Sequence, residues 1–164
     1  MASRLDWANY YHFKMGWNVL PTYPRQKRVA IEWEEYQKRR TDPKHFEEWF
    51  GKRGCNVALM LGPTSGISVL DIDSEEGWFA LQEMLEGVDA PIVKTPGGEY
   101  RRHYYFQHDP NMGNIPSSAT SGKWEYRSTN CIIVAPPSSS VNGGKYAWVV
   151  KPILNQLVTS CIGT

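Results

Sequence analysis

The feature that most constrains this chain is a pair of apolar runs, Cys55–Gly62 and Ile67–Asp73, joined by Pro63-Thr64-Ser65-Gly66. Aliphatic and β-branched residues bounded by Gly and Pro read as strands, and the short polar connection reads as a hairpin. The second run, Val69-Leu70-Asp71-Ile72-Asp73, ends in two acids at alternate positions. Successive strand side chains take opposite faces, so Asp71 and Asp73 point one way while Leu70 and Ile72 point into a core. Their Cα atoms should stand roughly 6.5–7 Å apart. Two ionised carboxylates that close repel each other and favour a divalent cation beside them. A hard ion such as Mg²⁺ needs only one or two protein carboxylates plus substrate phosphates. Alone, the pair equally fits a strand end that caps a helix beginning near Ser74. A third acid, Glu125, lies in the strand-like run Trp124-Glu125-Tyr126-Arg127, where by itself it fits a solvent-facing residue paired with Arg127.

Before these runs, Leu5 to Met15 reads as an amphipathic helix with Leu5, Ala8, Tyr11, His12 and Met15 on one face, ended by Gly16. Trp17–Leu20 reads as a short strand stopped by Pro21. Tyr23–Arg40 is loop-like and basic, with Arg25, Lys27, Arg28, Lys38, Arg39 and Arg40. These cations could track template phosphates, or form a solvated surface interleaved with Glu32, Glu34 and Glu35. Asp42 as N-cap, Pro43 at the first helical position and Gly51 as the stop mark a second helix. After Asp73, Ser74 caps a helix with Glu75 and Glu76 in its first turn, Trp78, Leu81 and Leu85 on its apolar side, and Gly87 at its end. Strand-like runs follow at Ile92–Thr95, His103–Gln107, Lys123–Arg127, Cys131–Ala135 and Lys145–Val149. The order implies an α+β fold with a mostly antiparallel sheet.

Cations gather near the acids in sequence. Lys94-Thr95-Pro96-Gly97-Gly98 permits a tight turn and close backbone approach to a ligand, and it leads through Arg101 and Arg102 into a strand bearing His103. His103 and Tyr105 share one face of that strand; Tyr104 and Phe106 take the other. The same segment also fits an ordinary hairpin with a solvated basic end. Further on, an apolar run halts at Pro136-Pro137-Ser138, and a polar loop returns through Gly143-Gly144-Lys145 to Tyr146 and Trp148. Loops mounted on rigid strands commonly carry binding groups.

Composition excludes more than it identifies. The 164 residues suffice for one domain with a sizeable core, or two small lobes sharing a cleft. A formal net charge of +1 leaves any nucleic-acid footprint local. Cys55, Cys131 and Cys161 lie far apart with no C-x-x-C spacing, which argues against a zinc knuckle or a disulfide framework and fits a reducing cytoplasm. The charged N-terminal stretch lacks a secretory apolar core, and no apolar run approaches a membrane span. A Walker A lysine motif is also missing.

Taken in order, these pieces resemble the bifunctional primase/polymerase N-terminal domain of the archaeo-eukaryotic primase superfamily. The pattern opens with Gly16-Trp17-Asn18-Val19-Leu20-Pro21, then Trp33 and Thr41-Asp42. It continues with Asn56, Gly62, Ser65, Gly66, Val69, Asp71 and Asp73, then Thr95, Pro96, Gly97, Gly98, His103, Tyr105 and Phe106. It closes with Glu125, Val134, Pro136, Pro137, Ser138, Gly144, Tyr146 and Trp148. The spacing from Gly-Gly to His103 is two residues longer than usual, and the third carboxylate, usually Asp, is here Glu125.

The resemblance implies one catalytic domain over residues 1–164, with an N-terminal α/β lobe (about 1–54), an RRM-like catalytic sheet (55–150), a cleft between them, and a tail (151–164). It implies that Asp71, Asp73 and Glu125 hold Mg²⁺ or Mn²⁺. His103 would bind the incoming nucleotide's phosphates and contribute to catalysis, with Arg127, Lys94, Arg101, Arg102 and Ser138 as further nucleotide contacts. The partners implied are single-stranded DNA template and primer, nucleoside triphosphates and a helicase domain or protein. The setting implied is a cytoplasm, including that of a host to phages or plasmids. A metal-dependent nuclease would share the acids, and a non-catalytic single-strand or nucleotide-binding module would share the surface. The first should cleave DNA without nucleotides; the second should keep binding when Asp71 and Asp73 are replaced.

Overall fold

The computed structural model describes residues 2–153; the expected tail lies outside them from residue 154 onward. Among the described residues eight strands form two antiparallel sheets. β1 (Val19–Thr22), β2 (Asn56–Leu61) and β7 (Cys131–Val134) make a three-stranded sheet in the order β1-β2-β7. β3 (Ile67–Ile72), β4 (Ile92–Lys94), β5 (Arg102–Gln107), β6 (Trp124–Arg127) and β8 (Ala147–Val150) make a five-stranded sheet in the order β6-β3-β5-β4-β8. Two α-helices, α1 (Arg4–Asn9) and α2 (Glu75–Leu85), complete an α+β fold consistent with a primase-like domain.

One expectation is corrected here. β2 and β3 are not a hairpin: after a single bridge between Gly62 and Ile67 they enter different sheets. The turn is tight, with the amide of Gly66 donating to the Gly62 carbonyl at 2.8 Å. Both faces of β2 are buried, and that is what sends it elsewhere. Val57, Leu59 and Leu61 pack against Ile67, Val69, Val93 and Tyr105 between the sheets. Ala58 and Met60 face outward with Leu20, under Ile31, Trp33 and Tyr36. Each fully buried aliphatic side chain contributes about 1.5–3 kcal/mol. A strand so placed gains more by lying between layers than by pairing with its sequence neighbour.

The five-stranded sheet is likewise covered twice. One face meets the small sheet; on the other, Leu70, Ile72, Tyr104, Phe106 and Tyr126 pack against Leu81 and Leu85 of α2. Ser74 caps α2 by accepting from the Gly77 amide at 3.0 Å. Gly77 itself sits against the Lys123 carbonyl, where a Cβ would collide, so the first turn of α2 is seated on the chain entering β6. That contact fixes the depth of the strand carrying Glu125.

The N-terminal part differs in detail from a simple amphipathic helix. α1 begins with a Ser3–Asp6 capping box and widens into a π-helical turn over Tyr10–Lys14. The segment begun by Asp42 and Pro43 is a 3₁₀ turn followed by a π-helical turn over Glu47–Lys52. β1 runs through Pro21 instead of stopping there, because β1 is an edge strand and the missing amide costs no ladder bond. Buried Asn18 ties this region together. Its amide nitrogen donates to the carbonyls of Tyr36 (2.9 Å) and Arg39 (3.0 Å), and its oxygen accepts from the Thr41 amide (2.9 Å). Among the described residues no helix is long and apolar enough to cross a membrane.

Candidate functional site

Strand register builds the site. Asp71 of β3, the strand next to the edge of the large sheet, stands opposite His103 of β5 on one side and Glu125 of β6 on the other. The row Glu125–Asp71–His103 therefore crosses three strands on the face turned to the small sheet. Arg127, opposite Val69, lies on the same face two residues along. Asp73 continues beyond the end of β3 on that face, where Arg101 reaches it.

The three acids converge: one carboxylate oxygen from each of Asp71, Asp73 and Glu125 lies within 4.8 Å of the others. Cations ring them. His103 Nε2 is 3.4 Å from Asp71 Oδ1, Arg101 Nη2 is 3.7 Å from Asp73 Oδ1, and Arg127 Nε is 3.9 Å from Glu125 Oε1. The Arg101 side chain lies directly over Gly97, whose φ of +107° suits glycine, so a Cβ there would displace the guanidinium. Asp71 and His103 are nearly enclosed, their side chains 13% and 8% exposed, whereas Asp73 is 32% exposed.

Burial sets the electrostatics. It pushes the Asp71 carboxyl up, but the hydrogen bond and charge offered by His103, a hydrogen bond with Asp73 and the charge of Arg127 together hold Asp71 below its ordinary range. Asp73 has no such rescue. Burial and then the neighbouring Asp71 charge, with a further push from Glu125, raise it to about 6, against a smaller pull from Arg101. A cluster that resists carrying its full negative charge alone is relieved by a bound cation. His103 Nδ1 is buried without a hydrogen-bond partner.

A cavity of about 210 Å³ opens beside the row, lined by Lys27, Asp71, His103, Arg127, Ile132–Val134 of β7 and Tyr146. A second, of about 300 Å³, is lined by Arg25, Gln26, Lys27, Ser139, Ser140, Val141 and Tyr146. Lys27 and Tyr146 border both. Tyr146 arrives because the loop after β7 doubles back, with the Tyr146 amide donating to the Ser138 carbonyl at 2.9 Å and the ring 6.3 Å from that of His103.

Of the residues singled out in the sequence, the structure thus gathers Asp71, Asp73, Glu125, His103, Arg101 and Arg127. Three others stand apart. Lys94 and Arg102 pair with each other across β4 and β5, and Arg102 also stands opposite Ile72, so both belong to the α2 face. Ser138 is fully buried, and its hydroxyl accepts from the Val57 amide at 2.8 Å and donates to the Val57 carbonyl at 3.2 Å. It braces the loop that delivers Tyr146. Lys27, read from sequence only as one cation of a basic stretch, borders the cavity that Asp71 lines; nothing in a charge run distinguishes it from its neighbours.

Set beside known protein families, the chain matches the model of the family described as bifunctional DNA primase/polymerase, N-terminal, over residues 9–160. No curated protein sequence matches it significantly.

Proposed function

Because the chain belongs to the bifunctional DNA primase/polymerase N-terminal family, we propose that the cleft at Asp71 is where it joins a nucleotide from a nucleoside triphosphate to the 3′-hydroxyl of a strand paired to a DNA template. Membership makes the chain a primase/polymerase-type nucleotidyltransferase domain acting on DNA and nucleotides. The observation that carries the residue-level reading is the cross-strand row Glu125–Asp71–His103 with Asp73 beside it, three converging acids with His103, Arg101 and Arg127 against them.

The donor set fits a hard divalent cation. All three candidate ligands are carboxylates, their oxygens converge, and burial together with the Asp71 charge holds Asp73 above its ordinary range. Asp71, Asp73 and Glu125 would hold Mg²⁺ or Mn²⁺. When bound, the ion would ease ionisation of the attacking hydroxyl and offset charge on the triphosphate. His103 and Arg127 would oppose the negative charge of the phosphates inside the cavity, with Arg101 adding charge beside Asp73. The small sheet and α2 keep these groups in place, so little reorganisation is needed at the moment of transfer. A helicase, fused or separate, would supply the single-stranded template for a role in replication.

Incorporation of labelled nucleotides on primed and unprimed single-stranded DNA, with Mg²⁺ or Mn²⁺, tests this reading. The expected result is metal-dependent product complementary to the template that disappears in Asp71→Ala/Asp73→Ala. Product on the unprimed template would make the protein a primase. Template cleavage without nucleotides would mean a nuclease, and binding without product a non-catalytic module.

A further inference from the structure

The basic loop after β1 carries six cations, and the structure divides them. Arg28 lies over the Tyr23 ring at 5.5 Å, Arg39 pairs with Glu35 and lies over Tyr36 at 5.1 Å, and Arg40 donates to the carbonyls of His12 (2.9 Å) and Trp17 (3.2 Å). Arg25, Lys27 and Lys38 make no ion pair among the described residues. Of these three, only Lys27 borders the cavity at the acids, together with Asp71, His103 and Arg127.

The loop is also built to keep Lys27 there. The carbonyl of Gln26, the residue before it, accepts from buried Thr22 Oγ1 at 2.7 Å and from Asn56 Nδ2 at 3.3 Å. The Tyr23 amide donates to the Arg28 carbonyl at 2.9 Å, closing the loop, and Thr22 bridges to Val29. Arg25 sits at a φ of +60°, a conformation a non-glycine residue adopts at some cost. An exposed loop with this many internal bonds, two of them to buried side chains, is held in shape rather than left to wander.

We propose that Lys27 is a triphosphate-binding residue, so that the loop after β1 belongs to the nucleotide site and not to the template track. The inference rests on the reading of the cleft given above. A triphosphate in the cavity at Asp71 meets Lys27 together with His103 and Arg127, one ammonium from the small-sheet side and two basic side chains from the large sheet. A nucleoside extending from it passes Tyr146 into the adjoining cavity, which Lys27 also borders. Closing the nucleotide between two sheets in this way uses a compact point charge with rotatable donors, the contact lysine makes well with phosphate.

The test compares equilibrium binding of Mg²⁺-dATP and Mg²⁺-ATP, the matching monophosphates and single-stranded DNA to the full chain and to Lys27→Ala and Lys27→Arg. The expected result is about a tenfold loss of triphosphate affinity in Lys27→Ala. Monophosphate and DNA affinity should stay within about twofold, and Lys27→Arg should recover most of the loss. Unchanged triphosphate binding overturns the proposal. So does a fall in DNA affinity with a salt slope lower by about one phosphate contact, which would return Lys27 to the template. Absence of triphosphate binding in the unsubstituted chain would instead strike the reading of the cleft itself, and with it this one.

Discussion

The two faces of the five-stranded sheet are made by the same strands, one residue out of step. On one face β3, β5 and β6 present Asp71, His103, Glu125 and Arg127; on the other they present Leu70, Ile72, Tyr104, Phe106 and Tyr126 beneath α2. The first face holds converging acids, one of which burial and its acidic neighbours raise to about 6. The second is dry and apolar beneath α2, with Lys94 and Arg102 at its end. The contrast indicates how an electrostatically costly cluster is tolerated: Val69 and Tyr105 pack against the small sheet beside it, Leu70 and Phe106 pack beneath α2 behind it, and backbone hydrogen bonds of the same strands hold the acids in register.

The comparison breaks if changes on the two faces have the same consequences. The largest effect should follow Asp71→Ala/Asp73→Ala, which removes the charge-bearing centre and should lower metal-dependent incorporation by about 1,000-fold or more. Circular dichroism of that variant should match the parent, because no apolar contact is lost. His103→Ala should lower incorporation by about 100-fold, the cost typical of losing one organised donor at a developing charge.

On the dry face the pattern should invert. Phe106 is fully buried against α2, and Phe106→Ala should cost about 3–4 kcal/mol in urea unfolding. The fraction still folded should keep nearly normal nucleotide affinity.

A finer effect concerns Asp73. Its carboxyl is raised from 3.8 to about 6 in the folded protein, so the folded state holds this proton more tightly than the unfolded chain does. Ionising Asp73 therefore subtracts stability as pH rises from about 4 through about 6, and the deficit is complete above that. In metal-free buffer, Asp73→Asn should stabilise the protein near pH 8 by on the order of 1 kcal/mol, discounted for the group's partial exposure. Near pH 3.5 it should change nothing; urea unfolding at the two pH values checks the sign. Smallest of all, Lys94→Ala and Arg102→Ala should alter nucleotide affinity by less than about twofold, since both lie on the α2 face.

Much of this contrast was legible in the sequence, because strand alternation is a strict period of two. Asp71 and Asp73 sharing a face, and Tyr104 and Phe106 facing away from His103, follow from residue parity alone. Parity also bore on Arg102: it neighbours His103 and so must take the opposite face, yet its place beside a glycine turn and a cluster of cations suggested otherwise. The pairing of Asp71 with Glu125 across more than fifty positions was not readable from spacing; register between strands so distant depends on every intervening loop, and only the order of segments in the family pattern brought Glu125 forward. The parting of β2 from β3 was hidden because a tight Gly-bounded turn serves a hairpin and a corner between sheets equally well. The unbroken apolar run Val57–Leu61 was the available sign, since it demands burial on both faces. Lys27 carried no sign at all. Its place depends on bonds from Thr22 and Asn56 to a backbone carbonyl, and backbone partners leave no mark in the sequence.

The central claim is that Asp71, Asp73 and Glu125 form a divalent metal site, and electron paramagnetic resonance of Mn²⁺ titrated into the protein tests it most directly. The account predicts saturable Mn²⁺ binding that strengthens in the presence of a nucleoside triphosphate, weakens as pH falls below about 6, where Asp73 takes up a proton, and is lost in Asp71→Asn/Asp73→Asn. Mn²⁺ binding that persists unchanged in that variant would contradict it.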